Sequence, residues 1–190
     1  MVFRTLLLMR HAKSAWPDVP DRERPLAARG RQDAQVMGRW LRTVGCVPDQ
    51  VLCSTAVRAS QTWQLAQPAL GADPETIFDD RVYEASAPQL LELISDTPAA
   101  VRTLLIVGHD SALPEVARAL AAAAPEDSAR LPDAAAPVAR DRIRGKFPTA
   151  AIAAFRCAGD WEMFAPGRAR LTYFVVPREL QARNGPRGQP

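Results

Sequence analysis

The sequence predicts an α/β fold, a mostly parallel central sheet with helices on both faces in three layers. Three features carry that expectation. Short apolar runs alternate with helical patterns through the first two-thirds of the chain, as strand–helix–strand units require. The runs are apolar throughout, as are strands covered on both faces. The chain has 190 residues, 47% apolar and 24% charged, enough to enclose one hydrophobic core.

The elements follow in order. Thr5 to Met9 reads as a buried strand. Pro17, Pro20 and Pro25, with charged residues between them, make the next stretch a loop. From Ala27 to Val44, Met37, Trp40, Leu41 and Val44 share one helical face, and Gly45 can close that helix. Gln50 to Cys53 is a second strand. Ser54 or Thr55 can then cap a helix that buries Ala59, Trp63, Ala66 and Leu70. Thr76 to Phe78 gives a short third strand. Ser86 and Gln89 have capping-box spacing ahead of Leu90, Leu91 and Ile94. Thr103 to Val107 is the clearest strand, and Asp110 or Ser111 can cap a helix with Leu113, Val116, Ala117 and Leu120 on one side. Ala124 to Lys146, with three prolines and many charges, reads as an irregular excursion. Ala150 to Phe155, Trp161 to Phe164 and Leu171 to Val176 read as closing strands. Residues 1–180 are expected to form a single domain, and residues 181–190, rich in Gly, Pro and Arg, a disordered tail.

Composition excludes several classes. Leu6 to Met9 is too short for a signal-peptide core, and no later run approaches the length of a membrane span, so a cytoplasmic location is expected. Cys46, Cys53 and Cys157 lack metal-ligand spacing and read as small buried hydrophobes. A net charge of +3 without a basic run among aromatics gives no reason to expect nucleic acid as a partner.

The chain has only two histidines, His11 and His109, and each directly follows a predicted strand. Ligands of parallel sheets gather beyond the carboxyl ends of the strands. Arg10-His11, the segment from Ser54 to Arg58, and Gly108-His109 therefore converge on one crevice. Guanidinium forks match phosphate oxygens bidentately. A neutral imidazole can attack phosphorus and form a phosphohistidine, which splits hydrolysis into two easier steps. With arginines supplying the electrostatic stabilisation, neither metal nor other cofactor is expected. Arg58 falls in the first turn of its helix, where a cation opposes the helix dipole, and this implies an anion nearby.

Arg10-His11-Ala12-Lys13-Ser14 resembles the R-H-G-x-[ST] signature of the histidine phosphatase (phosphoglycerate mutase-like) superfamily. Ser54-Thr55-Ala56-Val57-Arg58-Ala59-x-Gln61-Thr62 resembles its S-x-x-x-R-A-x-[QE]-T motif, and Val107-Gly108-His109 its third. Asp21-x-x-Arg24-Pro25-Leu26-x-x-Arg29-Gly30 and Phe147-Pro148-Thr149-Ala150-Ala151-Ile152-Ala153 are similar to segments of the small SixA-type phosphohistidine phosphatase branch. The resemblance implies an open pocket able to admit a phosphate carried on a protein.

It also implies roles. His11 would be the nucleophile, Arg10 and Arg58 would grip the phosphoryl oxygens, His109 would donate to the phosphoryl group, and Ser14 would contact substrate or serve as a turn hydroxyl. Glu84 falls where relatives carry the general acid, with Asp18 and Asp21 as rivals. Arg24 and Arg29 stand at the entrance or in structural ion pairs, and Arg140, Arg142, Arg144 and Lys146 form a solvated face or meet an acidic partner. Ala12 replaces the usual Gly. Asp110-Ser111 replaces Asn-Pro, and Asp110 is expected to cap the helix after it. The expected activity is that of a metal-independent phosphatase acting on phosphohistidine or another phosphorylated protein or small ester. The alternatives are a sugar phosphatase or mutase, or a non-catalytic phosphate-binding protein on the same fold.

Overall fold

The computed structural model describes residues 2–110, 112–122 and 136–183. Six strands, β1 (Phe3–Arg10), β2 (Gln50–Ser54), β3 (Glu75–Asp79), β4 (Thr103–Gly108), β5 (Ile152–Ala158) and β6 (Arg170–Val175), form one sheet. Their order is β3-β2-β4-β1-β5-β6. The pairings of β3 with β2, β2 with β4 and β4 with β1 are parallel; β5 and β6 close the sheet antiparallel. The helices are α1 (Ala28–Thr43), α2 (Val57–Leu70), α3 (Ala87–Ser95), α4 (Ala112–Ala121), α5 (Ala136–Arg144) and α6 (Pro177–Arg183).

β1 shows why its strand is apolar without alternation. Leu7 and Met9 enter a cluster with Met37, Leu41 and Trp63 of α1 and α2. Leu6 and Leu8 enter the opposite cluster with Leu90, Val116 and Leu120 of α3 and α4. All four strand side chains are completely buried, each stabilising the fold by about 1.5–3 kcal/mol. β4 divides in the same way, Leu105 and Val107 to one face and Leu104 and Ile106 to the other. Helices α1 and α2 touch backbone to backbone. A Cβ on Gly38 would lie 2.1 Å from the Ala66 carbonyl oxygen, so only glycine fits that crossing.

The structure corrects the sequence in four places. Part of the excursion expected to be irregular is helix α5, because Ala139 and Ile143, four residues apart, bury one stripe against the α3–α4 face of the sheet. Residues 124–135 lie outside the described residues. Trp161–Met163 is a single 3-10 turn and not a strand. Its apolar residues are buried by stacking, with the Trp161 and Phe164 rings 5.1 Å apart and the indole N–H donated to Val101 O at 3.0 Å. Helix α2 has Ala56 at its N-cap and no side-chain cap, because the Ser54 hydroxyl bonds the Ala56 N–H at 3.2 Å and His109, and the Thr55 hydroxyl is taken by Arg22 and Asp80. Gln181 to Arg183, assigned by the sequence to a tail, complete α6; residues 184–190 lie outside the described residues, as does Ser111. Among the described residues no helix is long and apolar enough to cross a membrane.

Candidate active site

Sheet register brings the three sequence segments level. Arg10 of β1 lies opposite Gly108 of β4, and β2 flanks the other side of β4. The ladder continues one residue further, His11 N–H donating to Gly108 O at 2.9 Å. His11 and His109 therefore leave adjacent strands at the same end, with ring centroids 5.2 Å apart.

His11 is 8% exposed. Its Nδ1 lies 2.8 Å from the carbonyl oxygen of Ala12. A carbonyl only accepts, so Nδ1 carries the proton and Nε2 keeps a free lone pair. Burial, reinforced by the charges of Arg58, Arg10 and Arg24, holds the ring down to a pKa of about 4, against the opposing pull of the Ala12 bond. His109 is the converse tautomer. Arg58 donates from Nη2 to Nδ1 at 3.2 Å, and His109 Nε2–H donates to Ser54 Oγ at 2.7 Å. Burial, with His11, Arg58 and Arg10 close by, pushes this ring down to about 3, opposed by Asp21.

The anion implied by Arg58 is Asp21. Arg58 donates from Nη1 to the Asp21 carbonyl at 2.6 Å and from Nη2 to its Oδ2 at 2.9 Å. Arg24 bonds Asp21 Oδ1 at 2.8 Å, and the Tyr83 hydroxyl donates to Oδ2 at 3.0 Å. Partial burial raises the Asp21 carboxyl, but the bonds from Tyr83 and Arg24 and the charge of Arg58 win and hold it below the usual carboxylate value. Arg10 donates from Nη1 to Phe147 O at 2.7 Å, and its Nη2 lies 3.0 Å from Asp110 Oδ2. Asp110, expected to cap a helix, is thus an ion-pair partner of Arg10.

Residues around these four hold the backbone in place. Thr62 Oγ1 accepts the buried Ala12 N–H at 2.9 Å, and Gln61 Oε1 accepts the Leu26 N–H at 2.8 Å. Ala150 N–H is shared between the carbonyls of Arg10 and His11, 3.1 Å from each. Ala150 sits at φ 59° to do so, a left-handed conformation that costs a non-glycine residue about 1 kcal/mol. Ala12, in place of the usual Gly, is not among the positive-φ residues. Gly30 does meet a spatial demand: a Cβ there would lie 2.1 Å from Lys13 O.

The sequence profile of the histidine phosphatase superfamily (branch 1) matches residues 6–100 of the chain. The chain belongs to that superfamily. Protein Rv1276c of Mycobacterium tuberculosis is 43% identical over 171 residues, 90% of this chain and 100% of that protein. The SixA structure from Nakamurella multipartitia is 30% identical with a TM-score of 0.78, covering 93% of this chain and 98% of the other. SixA from Agrobacterium tumefaciens gives 26% identity and a TM-score of 0.73, over 92% and 98% of the two chains. Within the superfamily the chain is SixA-like.

In this histidine phosphatase homologue the structure brings together Arg10, His11, Arg58 and His109. It leaves Glu84 outside the cluster. Glu84 is exposed and lines a separate cleft of about 380 Å³ with Asp80, Arg81, Gln89, Glu92 and Asp96, and among the described residues no bond joins it to the imidazoles. Asp18 is also exposed. Ser14 is buried and accepts from Arg24 Nη2 at 2.7 Å. Arg24 in turn lies over the exposed Trp16 ring, 3.3 Å from its centroid. Arg29 pairs with the buried Asp33 at 3.4 Å, and Arg142 pairs with Glu179 of α6.

Two members of the cluster had no site role assigned from sequence. Ser54 opens the second motif, and its hydroxyl pairs with His109 Nε2 in the tautomer that the Arg58 N–H at Nδ1 sets. Tyr83, directly before Glu84, meets His109 edge-on at 5.3 Å between ring centroids and donates to Asp21. An aromatic hydroxyl at the end of a 3-10 turn carries no sequence signal of which carboxylate it will find.

Proposed function

We propose that this protein is a metal-independent phosphatase that works through a phosphohistidine on His11. The observation that carries the reading is the state of His11. The ring is neutral at physiological pH, carries its proton on the Ala12 side, and keeps the Nε2 lone pair available in the field of Arg58, Arg10 and Arg24. The Nε2 lone pair attacks phosphorus, the bond to the leaving group breaks, and Arg10 and Arg58 stabilise charge on the equatorial oxygens. Water then attacks phosphorus, the phosphorus–nitrogen bond breaks with its electron pair returning to Nε2, and orthophosphate and neutral His11 are released. Once the incoming dianion displaces the Arg58 N–H, the neutral His109 ring takes its other tautomer: Nδ1–H donates to the phosphoryl group and the Ser54 hydroxyl turns to donate to Nε2.

The leaving group must acquire a proton. Asp21, the carboxylate in contact with Arg58, is held ionised and so accepts rather than donates. Among the described residues no bond joins Glu84 to the imidazoles, and it lines a separate cleft. The site therefore suits a leaving group that brings its own proton, as the imidazole of phosphohistidine does, better than an alkoxide. Phosphohistidine on a protein is accordingly the proposed substrate, with phosphate esters slower and Glu84 the acid proposed for them.

Phosphoenzyme trapping tests the reading. Incubation with phosphoimidazole and quenching should yield an acid-labile, alkali-stable phosphoprotein that is absent in His11→Ala. No labelling from any phosphodonor would overturn it.

A further inference from the structure

Arg10 stands directly before His11, and its contacts fix what it can offer a ligand. Nε is enclosed, without a partner among the described residues. Nη1 is held on the Phe147 carbonyl at 2.7 Å. Nη2 is the nitrogen with no backbone partner, and Asp110 Oδ2 occupies it at 3.0 Å. The Arg10 side chain is 20% exposed and that of Asp110 64%, so the carboxylate stands on the solvent side of the arginine. Both His109 nitrogens are taken, by Arg58 and Ser54. Asp110 therefore acts on the arginine and not on the imidazole. A carboxylate oxygen and a phosphoryl oxygen are alternative acceptors for one guanidinium fork.

We propose that Asp110 is a specificity-determining residue, an internal anion that competes with phosphoryl oxygens for Arg10. It disfavours phosphates that carry a further negative charge beside the scissile group, and it weakens the hold on product orthophosphate. A substrate whose phosphate is flanked by neutral or cationic groups loses to this carboxylate only what orthophosphate itself loses. The proposal rests on reading the pocket as a phosphate site. A single negative charge within about 5 Å of a bound dianion, in partly screened solvent, is expected to weaken its binding about tenfold.

The test is calorimetric titration of inorganic phosphate and of phosphoglycolate, which carries a carboxylate beside its phosphate, into wild type, Asp110→Asn and Asp110→Ser. Both variants should bind phosphate about tenfold more tightly, and phosphoglycolate should gain more than phosphate does. Adding Asp110→Asn to Arg10→Ala should tighten phosphate binding by less than Asp110→Asn does alone, because the competition for Arg10 is gone and only the direct repulsion remains. Phosphate bound by Asp110→Asn no more tightly than by wild type overturns the role of Asp110 while leaving the phosphate site intact. Phosphate bound by none of the folded proteins overturns the reading of the pocket itself, and the proposal with it.

Discussion

His11 and His109 make the folded protein acid-sensitive over a definable range. Their rings titrate near 6.5 in an unfolded chain but are held to about 4 and about 3 in the folded one. At neutral pH both are uncharged in either state. As the pH falls below 6.5 the unfolded chain takes up protons that the buried rings refuse, so stability declines. Each pH unit below that value costs about 1.4 kcal/mol per ring, or about 2 kcal/mol each by roughly pH 5. The two rings together remove about 4 kcal/mol, a large share of the roughly 5–15 kcal/mol typical of a domain. The contribution of His11 levels off below a pH of about 4. Burial raises the Asp33 carboxyl, which works in the opposite direction, whereas the lowered Asp21 and Asp79 act at more acid pH. Urea unfolding near pH 7 and pH 5 measures the effect. Wild type should lose about 4 kcal/mol over that interval and His109→Gln about 2. Equal losses in the two proteins would refute the assignment of the acid sensitivity to these rings.

Three further outcomes are expected. Thr62→Val leaves the buried Ala12 N–H without its acceptor and should lower stability by about 1–3 kcal/mol in denaturant titration. Gly30→Ala places a Cβ 2.1 Å from the Lys13 carbonyl oxygen; backbone must move, and a loss of about 3 kcal/mol is expected by thermal unfolding, together with reduced turnover. Arg58→Lys cannot reproduce the two-nitrogen grip now made on Asp21. Its kcat/KM on phosphoimidazole should fall about 10²–10³-fold with the melting temperature little changed.

What was legible in the sequence follows from which forces act locally. β1, β2 and β4 could be read because a strand covered on both faces must be apolar throughout, and the residues just past its carboxyl end must face the ligand side. That rule alone placed Arg10, His11 and His109 together before any side-chain position was known. Helix α5 was hidden because its buried stripe rests on Ala139 and Ile143 amid arginines. Trp161 and Phe164 misled because rings that bury one another by stacking have the same composition as a strand. The carboxylates were least legible. Asp21 enters the cluster and Glu84 stays out because of how two loops fold, and Asp110 reaches Arg10 across a strand pairing set by register. None of these placements follows from residue type or spacing.

The loop after His11 is fastened more firmly than its prolines suggest. Ala12 N–H is held by Thr62, Ala15 N–H by the Pro25 carbonyl at 2.8 Å, Leu26 N–H by Gln61, and Ala27 N–H by the Lys13 carbonyl at 2.9 Å. The Ala12 and Leu26 amides are tied to α2, and those of Ala15 and Ala27 cross-link the two arms of the loop between β1 and α1, so they have no private route to solvent. Their exchange with deuterium should keep pace with the slowest amides of the sheet, because a segment bonded to the core opens only when the core does. The pocket therefore has no melting behaviour of its own: the temperature that unravels the sheet is the temperature at which the site disperses.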